Sequence, residues 1–365
     1  MHKTASGLLV GLLGLGLLAG GCDSGGGGSS ITLSLRSAPM ALGNGEAPAL
    51  LFSADGYTVA WDAPGAGGSN QVHYRRFVQG VPGADTVAGS GAAARLAAVG
   101  SQVGIAWLGA EPNTGDDEVF FALAETGAPA GVTQVTMLPA SSDFPSFDLA
   151  RVEGSWLVAV CHQRSDGGSL LVVPMEPAGT AMPAVEVAAT RCKDITLYPD
   201  GQTAWLAYTE ADTVFVRHVS ATGAALGGAL RVGAAGTSGT GQVVNMVDGL
   251  GVVFHDGVAD GATLQRLDRQ GALVGSAVGL DTDGTIAPSF TASPLIPGLL
   301  LAWRTGAGTF LVRAFDSKGG VDSTPLAVGS AAAALPRFAR SANDRTGLAW
   351  TDGGMIMFAE VGHTR

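Results

Sequence analysis

The chain of 365 residues contains 20 basic and 31 acidic residues, giving a formal net charge of -11, and 46% of its residues are hydrophobic. An acidic surface disfavours binding to nucleic acid and electrostatic docking on anionic lipid, because both attract basic proteins. The length and the apolar content are sufficient for one large all-β domain or two smaller ones.

The first 21 residues have the pattern of an export signal. A basic start with Lys3 precedes an apolar run over 8–20, which at 13 residues is too short to span a bilayer and typical of a signal-peptide core. The run ends in Ala19-Gly20-Gly21-Cys22, which resembles the lipobox of bacterial lipoproteins. In that family the cysteine becomes the first residue of the mature chain and carries the lipid, palmitate included, so the resemblance implies lipidation of Cys22. The alternative is an ordinary secretory signal with an incidental cysteine.

Residues 22–30 form a Gly/Ser-rich stretch directly after the lipobox. Eight such residues as a random coil reach about 15–17 Å, which suits a flexible tether between a membrane and a folded domain. The expected location is therefore the bacterial cell envelope, with the domain lipid-anchored to the inner or the outer membrane and the leaflet left open. The folded domain is predicted to cover 31–365 and to be monomeric.

A short phrase recurs through residues 31–365. It is an apolar run that ends in a large residue, as in VAW at 59–61. Its spacing of 46–53 residues over seven units is in the range of one four-stranded propeller blade. We call the last residue of the run the anchor. The anchors are Trp61, Trp107, Val160, Tyr208, Phe254, Trp303 and Trp350.

A second feature repeats in phase with the anchors. In six units a β-branched or aromatic run ends in a glycine 15–20 residues after the anchor. Such a glycine supplies the positive φ of a short hairpin loop. Each unit is thus predicted to contain four strands, A to D, with the anchor in strand B and the glycine between C and D. The glycines are Gly80, Gly127, Gly179, Gly223, Gly271 and Gly319.

The last and first units complement each other. The last unit has patterns for strands A, B and C but none for D, and a spare strand pattern at 31–37 precedes the first unit. Because unpaired sheet edges are costly, we expect the spare strand to complete the last blade. The prediction is an all-β, seven-bladed β-propeller of four-stranded antiparallel blades, closed by an N-terminal strand. Two stacked β-sandwich domains are the alternative.

The repeat and the lipobox together resemble bacterial lipoproteins of the β-propeller type. The resemblance implies that ligands bind at the face where the B–C and D–A loops emerge, or in the central tunnel. A ring of acids with two histidines at this rim is suited to a cation or a basic partner; the alternative is that charged residues simply end the strands in solvent. The rim candidates are Asp62, His162, Glu210, His255, Asp256, Arg304 and Asp352, with Asp143, Asp194, Asp281 and Asp283 in the D–A loops.

The sequence contains no complete catalytic or metal-binding motif. Ser53–Gly56 resembles the Asp box of sialidases, but the residue between Asp and Gly is missing. The stretch also falls in the A–B turn instead of the C–D turn, so an Asp box is rejected. Residues 281–284 begin like a calcium loop, but the twelfth position is Ala292 instead of Glu, so an EF-hand is excluded and only a looser calcium site stays open. The histidines and cysteines lack zinc spacing, and there is no nucleophile elbow or phosphate loop. We therefore predict no catalytic residue, no metal ligand and no cofactor.

Two cysteines remain after Cys22. Cys161 follows the anchor of the third unit, and Cys192 opens strand A of the fourth. Since B and A are antiparallel, both residues are expected at the same face of neighbouring blades. A disulfide is plausible in an exported protein, whereas the alternative is two buried thiols that are too far apart.

Two functions of different classes are compatible with this sequence. The first is a non-catalytic binding or scaffold module, anchored to the membrane and presenting its rim to an envelope protein or a glycan. The second is a glycan-active hydrolase or lyase that uses rim carboxylates. The fold alone does not choose between them, because propellers host both classes.

Overall fold

The computed structural model describes residues 30–364 except 66–67, 125–128, 130, 138–145, 165–166, 234–240, 257–260, 283–285, 296, 331 and 341–344. The predicted signal peptide, Cys22 and nearly all of the tether lie outside the described residues. So do Gly127, Asp143 and Asp283. Within the described part no helix is long and apolar enough to cross a membrane.

The structure confirms the seven-bladed propeller. Seven antiparallel sheets follow one another along the chain, and each innermost strand A contacts strand A of both neighbouring blades, so that the ring is closed. The two stacked sandwiches are thereby excluded.

Two short strands precede the blades, and blades 1 to 3 follow. The first strands are β1 (Thr32–Leu35) and β2 (Met40–Asn44). Blade 1 contains β3 (Glu46–Ser53), β4 (Gly56–Pro64), β5 (Asn70–Val78), β6 (Val81–Pro82) and β7 (Thr86–Ser90). Blade 2 contains β8 (Ala92–Val99), β9 (Gln102–Ala110), β10 (Asp117–Ala124) and β11 (Thr133–Gln134). Blade 3 contains β12 (Ser146–Val152), β13 (Ser155–Arg164), β14 (Gly167–Met175) and β15 (Val185–Ala188).

Blades 4 to 7 repeat the order. Blade 4 contains β16 (Cys192–Asp200), β17 (Thr203–Glu210), β18 (Thr213–Ser220) and β19 (Leu230–Arg231). Blade 5 contains β20 (Gln242–Met246), β21 (Gly249–Asp256), β22 (Gly261–Leu267) and β23 (Leu273–Gly279). Blade 6 contains β24 (Ile286–Leu295), β25 (Gly298–Thr305), β26 (Phe310–Phe315) and β27 (Leu326–Ala327). Blade 7 contains β28 (Ala333–Arg340), β29 (Thr346–Asp352) and β30 (Met355–Thr364).

Strands β1 and β2 together form the latch that completes blade 7. β1 pairs with one half of β30, from Thr32 opposite Thr364 to Leu35 opposite Val361, which confirms the predicted closing strand. β2 pairs with the other half, with Met40 opposite Phe358. The same division occurs in blade 1, where β6 and β7 share strand β5.

The core consists of seven hydrophobic clusters, one between each pair of neighbouring blades. Each anchor packs against the preceding blade: Trp107 meets Tyr74 of blade 1, and Trp61 meets Phe358 of blade 7. All seven anchors are buried. The position therefore requires apolar volume and no particular chemistry, which explains why Val160 can replace tryptophan.

The predicted hairpin glycines have the expected backbone conformation. Their φ angles are 81°, 92°, 80°, 84° and 89°. These values belong to Gly80, Gly179, Gly223, Gly271 and Gly319, respectively.

A β-bulge opens strand A in several blades. Four non-glycine residues there have φ between 50° and 60°, a conformation that side chains disfavour. They are Ala47, Ala93, Asp194 and Leu335. In each case the register of the A–B ladder shifts at this point, and regular pairing resumes two residues later. Bulges re-aim the side chains beside them, and here those side chains border the centre of the ring.

Cys161 and Cys192 form a disulfide with their Cα atoms 5.5 Å apart. Both residues are buried in the cluster between blades 3 and 4. The bridge therefore joins two blades directly, as the antiparallel course of strands B and A predicted.

Candidate functional site in the central channel

The seven strands A enclose a central channel with a cavity of about 570 Å³. Small-molecule sites typically occupy 300–1,000 Å³. The channel is therefore large enough for a ligand, and its lining decides which kind of ligand.

One level of the channel is polar. Each blade contributes the strand A residue that pairs with the residue just before its anchor, so all seven occupy equivalent positions. We call this ring the polar belt. It consists of Ala49, Arg95, Asp148, Thr196, Gln242, Thr291 and Arg337.

The next residue of every strand A is apolar. These seven side chains also line the channel, and we call them the apolar belt. They are Leu50, Leu96, Leu149, Leu197, Val243, Ala292 and Phe338. The channel thus offers a ring of polar groups beside a ring of hydrocarbon.

Several members of the polar belt join their own blade to the next one. Asp148 Oδ2 accepts the backbone N–H of Leu197 at 2.6 Å. Gln242 uses both ends of its amide, donating to the carbonyl of Phe290 at 2.9 Å and accepting the N–H of Ala292 at 2.8 Å. Bonds of this kind fix the width of the channel and satisfy the side chains that make them.

The two arginines of the polar belt are much less satisfied. A guanidinium carries five N–H donors. Among the residues that the structure describes, Arg337 donates once, to the carbonyl of Pro336 at 2.8 Å. Arg95 donates through Nη1 to the carbonyls of Ala93 and Ala94, and its Nε lies 3.7 Å from Asp148 Oδ1, beyond hydrogen-bond length. In the described residues the remaining donors of both arginines have no protein partner.

The charges of this group do not cancel. Arg95 and Arg337 flank Ala49 around the ring, and Asp148 adjoins Arg95 on the other side. Burial, followed by repulsion from Arg95, lowers the pKa of Arg337 to about 10 although Asp148 opposes the shift. Burial raises the pKa of Asp148, and Arg95 counteracts this effect. The polar belt therefore has one positive charge in excess.

One further charge borders the channel. Asp194 lies at the bulge of blade 4, two positions before the polar belt. Burial raises the pKa of Asp194, and Lys193 is the charged neighbour that offsets it. Asp194 therefore adds a carboxylate at the border of the channel, outside the polar belt.

The structure distributes the predicted rim residues over two orientations. Asp62, His255 and Arg304 come directly after their anchors, whereas the other four come two residues after. Successive side chains of a strand point to opposite faces, so the two groups diverge. Except for His255 and Asp256, each comes from a different blade. The seven residues therefore do not form one cluster.

Several rim residues are engaged or buried. Asp62 is 7% exposed and accepts the N–H of Ala93 in the next blade at 2.9 Å. His162 and His255 are each 3% exposed. Asp352 accepts the N–H of Ser330 at 2.8 Å and also its hydroxyl. Two carboxylates of the predicted acidic ring thus hold backbone in place.

The pKa values of these two carboxyl groups move in opposite directions. Burial raises the pKa of Asp62 against the hydrogen bond from Ala93. For Asp352, partial burial acts upward, but the hydrogen bonds from Ser330 outweigh it and lower the pKa. Neither shift has the pattern of a carboxyl pair that shares a proton.

Neither the acids predicted in the D–A loops nor any cluster of metal ligands forms a further site in the described residues. Asp281 is exposed and lies 3.6 Å from Arg313 Nη1. Among the residues that the structure describes, no three His, Cys, Asp or Glu side chains come together as metal ligands do.

The arginines of the polar belt were missed in the sequence, although a signal exists. Six of the belt residues stand twelve positions before their anchor, and Arg337 stands thirteen before Trp350. In six of the seven units the belt position is polar or charged. Comparing the units at an offset of twelve would have found Arg95 but not Arg337, because the twelfth residue before Trp350 is Phe338.

The comparisons with known proteins agree with a propeller and go no further. No protein-family model and no curated protein matches the chain. A solved prolyl endopeptidase matches with a TM-score of 0.51 and 14% identity over 89% of this chain, which spans 47% of that protein. A neuraminidase-like protein from A/bat/Guatemala/164/2009 matches with a TM-score of 0.51 and 10% identity over 91% of this chain and 94% of the other. At these identities the likeness concerns the fold alone.

Proposed function

We propose that the protein is a non-catalytic binding module of the bacterial envelope, anchored to a membrane through a lipid on Cys22, whose ligand enters the central channel. The observation that carries the proposal is the cavity of about 570 Å³, in which several arginine N–H donors have no hydrogen-bond partner among the described residues. A rigid closed ring with a disulfide between two blades suits presentation of a preformed site.

The geometry favours binding in the channel over chemistry at the rim. A glycan-active enzyme needs two carboxyl groups on either side of a scissile bond. Asp62 and Asp352 instead accept backbone N–H groups, so both carboxylates are engaged in structural hydrogen bonds. Glu210, Asp256 and Arg304 are half-buried and are not among the residues that line the cavity.

Native mass spectrometry tests the binding. The full protein is purified from its own membranes and compared with Leu50→Trp, which narrows the apolar belt, and Val81→Trp, on a surface residue that is 67% exposed. A small molecule that copurifies with the wild type and Val81→Trp, but not with Leu50→Trp, supports the proposal. Retention by Leu50→Trp, or recovery of the molecule with an altered mass after incubation, contradicts it.

The anchor is tested separately. Replacement of Cys22 by Ser is expected to abolish palmitate labelling and to move the protein from the membrane to the soluble fraction of the envelope. Continued labelling of the variant would contradict lipidation at this residue.

A further inference from the structure

The polar belt contains a pair of arginines whose donors face the channel across a small residue. Arg337 of blade 7 and Arg95 of blade 2 lie on either side of Ala49 of blade 1, whose side chain ends at Cβ. At the same level, Gln242 satisfies both ends of its amide within the protein. The arginines differ from their neighbours because most of their N–H groups have no protein partner in the described structure.

From this arrangement we infer that Arg95 and Arg337 bind the carboxylate of a small ligand whose apolar body packs on the apolar belt. The inference rests on the proposed function and specifies its ligand class. A planar guanidinium matches a carboxylate with two parallel hydrogen bonds.

The charge balance selects a single negative charge. The belt's two arginines and Asp148 leave an excess of one positive charge, which one carboxylate neutralises. A polyanion would retain unpaired charge in an enclosed site and would also be repelled by a protein of net charge -11. Burial is the main cause of the lowered pKa of Arg337, and Asp148 offsets it only in part, so a bound anion would further stabilise the charged guanidinium.

The apolar belt selects the rest of the ligand. Leu50, Leu96 and Phe338 are partly exposed to the channel and lie one residue from Ala49, Arg95 and Arg337, respectively. Apolar surface in such a pocket provides affinity, whereas a few polar groups fix orientation. The ligand class is therefore a monocarboxylate with an alkyl or aryl body.

Isothermal titration with 4-phenylbutanoate tests the site on the full protein in detergent. 4-Phenylbutan-1-ol and 4-phenylbutylamine are the matched probes that lack the negative charge. We expect the carboxylate to bind at least tenfold more tightly than either. Arg95→Gln and Arg337→Gln should each raise its Kd tenfold or more, and Arg337→Lys should have a smaller effect.

The control variant is Arg345→Gln, which removes a charge from an exposed ion pair with Glu360 and should change the Kd less than twofold. Circular dichroism and thermal unfolding establish that each variant is folded. Failure of the carboxylate to bind, equal binding of the alcohol, or an unchanged Kd in both arginine-to-glutamine variants would overturn the inference.

The failure of this inference is distinguishable from that of the proposed function. If alcohol and carboxylate bind equally and Leu50→Trp abolishes both, the channel binds ligands but the arginines do not select an anion. If Leu50→Trp leaves binding of the carboxylate intact, the site lies outside the channel, and both proposals are wrong.

Discussion

Trp61 donates its indole N–H to the carbonyl of Asn44, with 3.2 Å between nitrogen and oxygen. Asn44 ends the latch strand β2, and Trp61 is the anchor of blade 1, so the bond joins the last blade to the first. The relation recurs one blade later, where Trp107 donates to the carbonyl of Ser90 at 3.1 Å. The latch thus makes the same indole-to-carbonyl hydrogen bond between blades 7 and 1 that the continuous chain makes between blades 1 and 2.

The latch should stabilise the protein mainly through its buried residues. Leu42 is 2% exposed and packs in the cluster of Trp61, whereas Met40 in the same strand is 37% exposed. We expect Leu42→Ala to lower the free energy of unfolding by about 2–5 kcal/mol. Met40→Ala should change it by less than about 1 kcal/mol. Urea unfolding measures both; equal effects would mean that the latch does not pack as described.

Close packing on Trp107 makes a second prediction. A Cβ added to Gly89 would lie 2.5 Å from Trp107 Cζ2, and this tryptophan is 2% exposed. Gly89→Ala should therefore overpack the interface between blades 1 and 2 and cost about 1–3 kcal/mol. Gly228→Ala is the control, because its Cβ would meet no atom within 4 Å. Thermal unfolding should give a lower midpoint for Gly89→Ala than for Gly228→Ala. An unchanged midpoint in Gly89→Ala would contradict the close packing of Gly89 against Trp107.

Blade 7 illustrates how far the sequence predicts this fold. The anchors and hairpin glycines were visible because packing between blades repeats the same requirement. The spare strand at 31–37 was visible as an alternating pattern. The strand Met40–Asn44 was missed, although 40–45 and 86–91 share glycines at their fourth and sixth positions. Those glycines leave room for the tryptophan of the following blade. Local patterns of hydrophobicity do not reveal such a long-range contact.

The outer strands and the site were harder to predict. In blade 2 the outermost strand comprises only Thr133–Gln134, although Val135 and Thr136 directly after it are buried. The acids after the anchors were predicted as rim ligands, but Asp62 accepts a backbone N–H of the next blade. Arg95 and Arg337 are far apart in the chain, and only closure of the ring brings them to either side of Ala49.

The disulfide should contribute measurably to stability. Its cysteines are 31 residues apart, and closing such a loop is worth roughly 3–4 kcal/mol in the chain-entropy model. Reduction should therefore lower the urea midpoint without changing the fold of the ring. Thiol titration in denaturant should find no free thiol in the non-reduced protein, since Cys22 is lipidated in the proposal. Detection of two thiols would contradict the bridge.

Asp62 provides a test that depends on pH. Its carboxylate accepts the N–H of Ala93, but burial raises its pKa above the ordinary 3.8, so the ionised form destabilises the folded state. Asp62→Asn keeps an acceptor and removes the charge, and it should be at least as stable as the wild type at pH 7. Asp62→Ala leaves the N–H without its acceptor and should cost about 1–2 kcal/mol.

The sign of the linkage fixes how the advantage of Asp62→Asn changes with pH. Because the folded-state pKa is the higher one, the penalty of the wild type is complete above that pKa. It declines as the pH falls toward 3.8 and vanishes below, where both states of the wild type are protonated. Urea unfolding between pH 3 and 7 should therefore show the two proteins converging at acidic pH. A difference that grows on acidification would mean that the ionised carboxylate stabilises the fold and that Asp62 acts as an ion-pair partner instead of a buried acceptor.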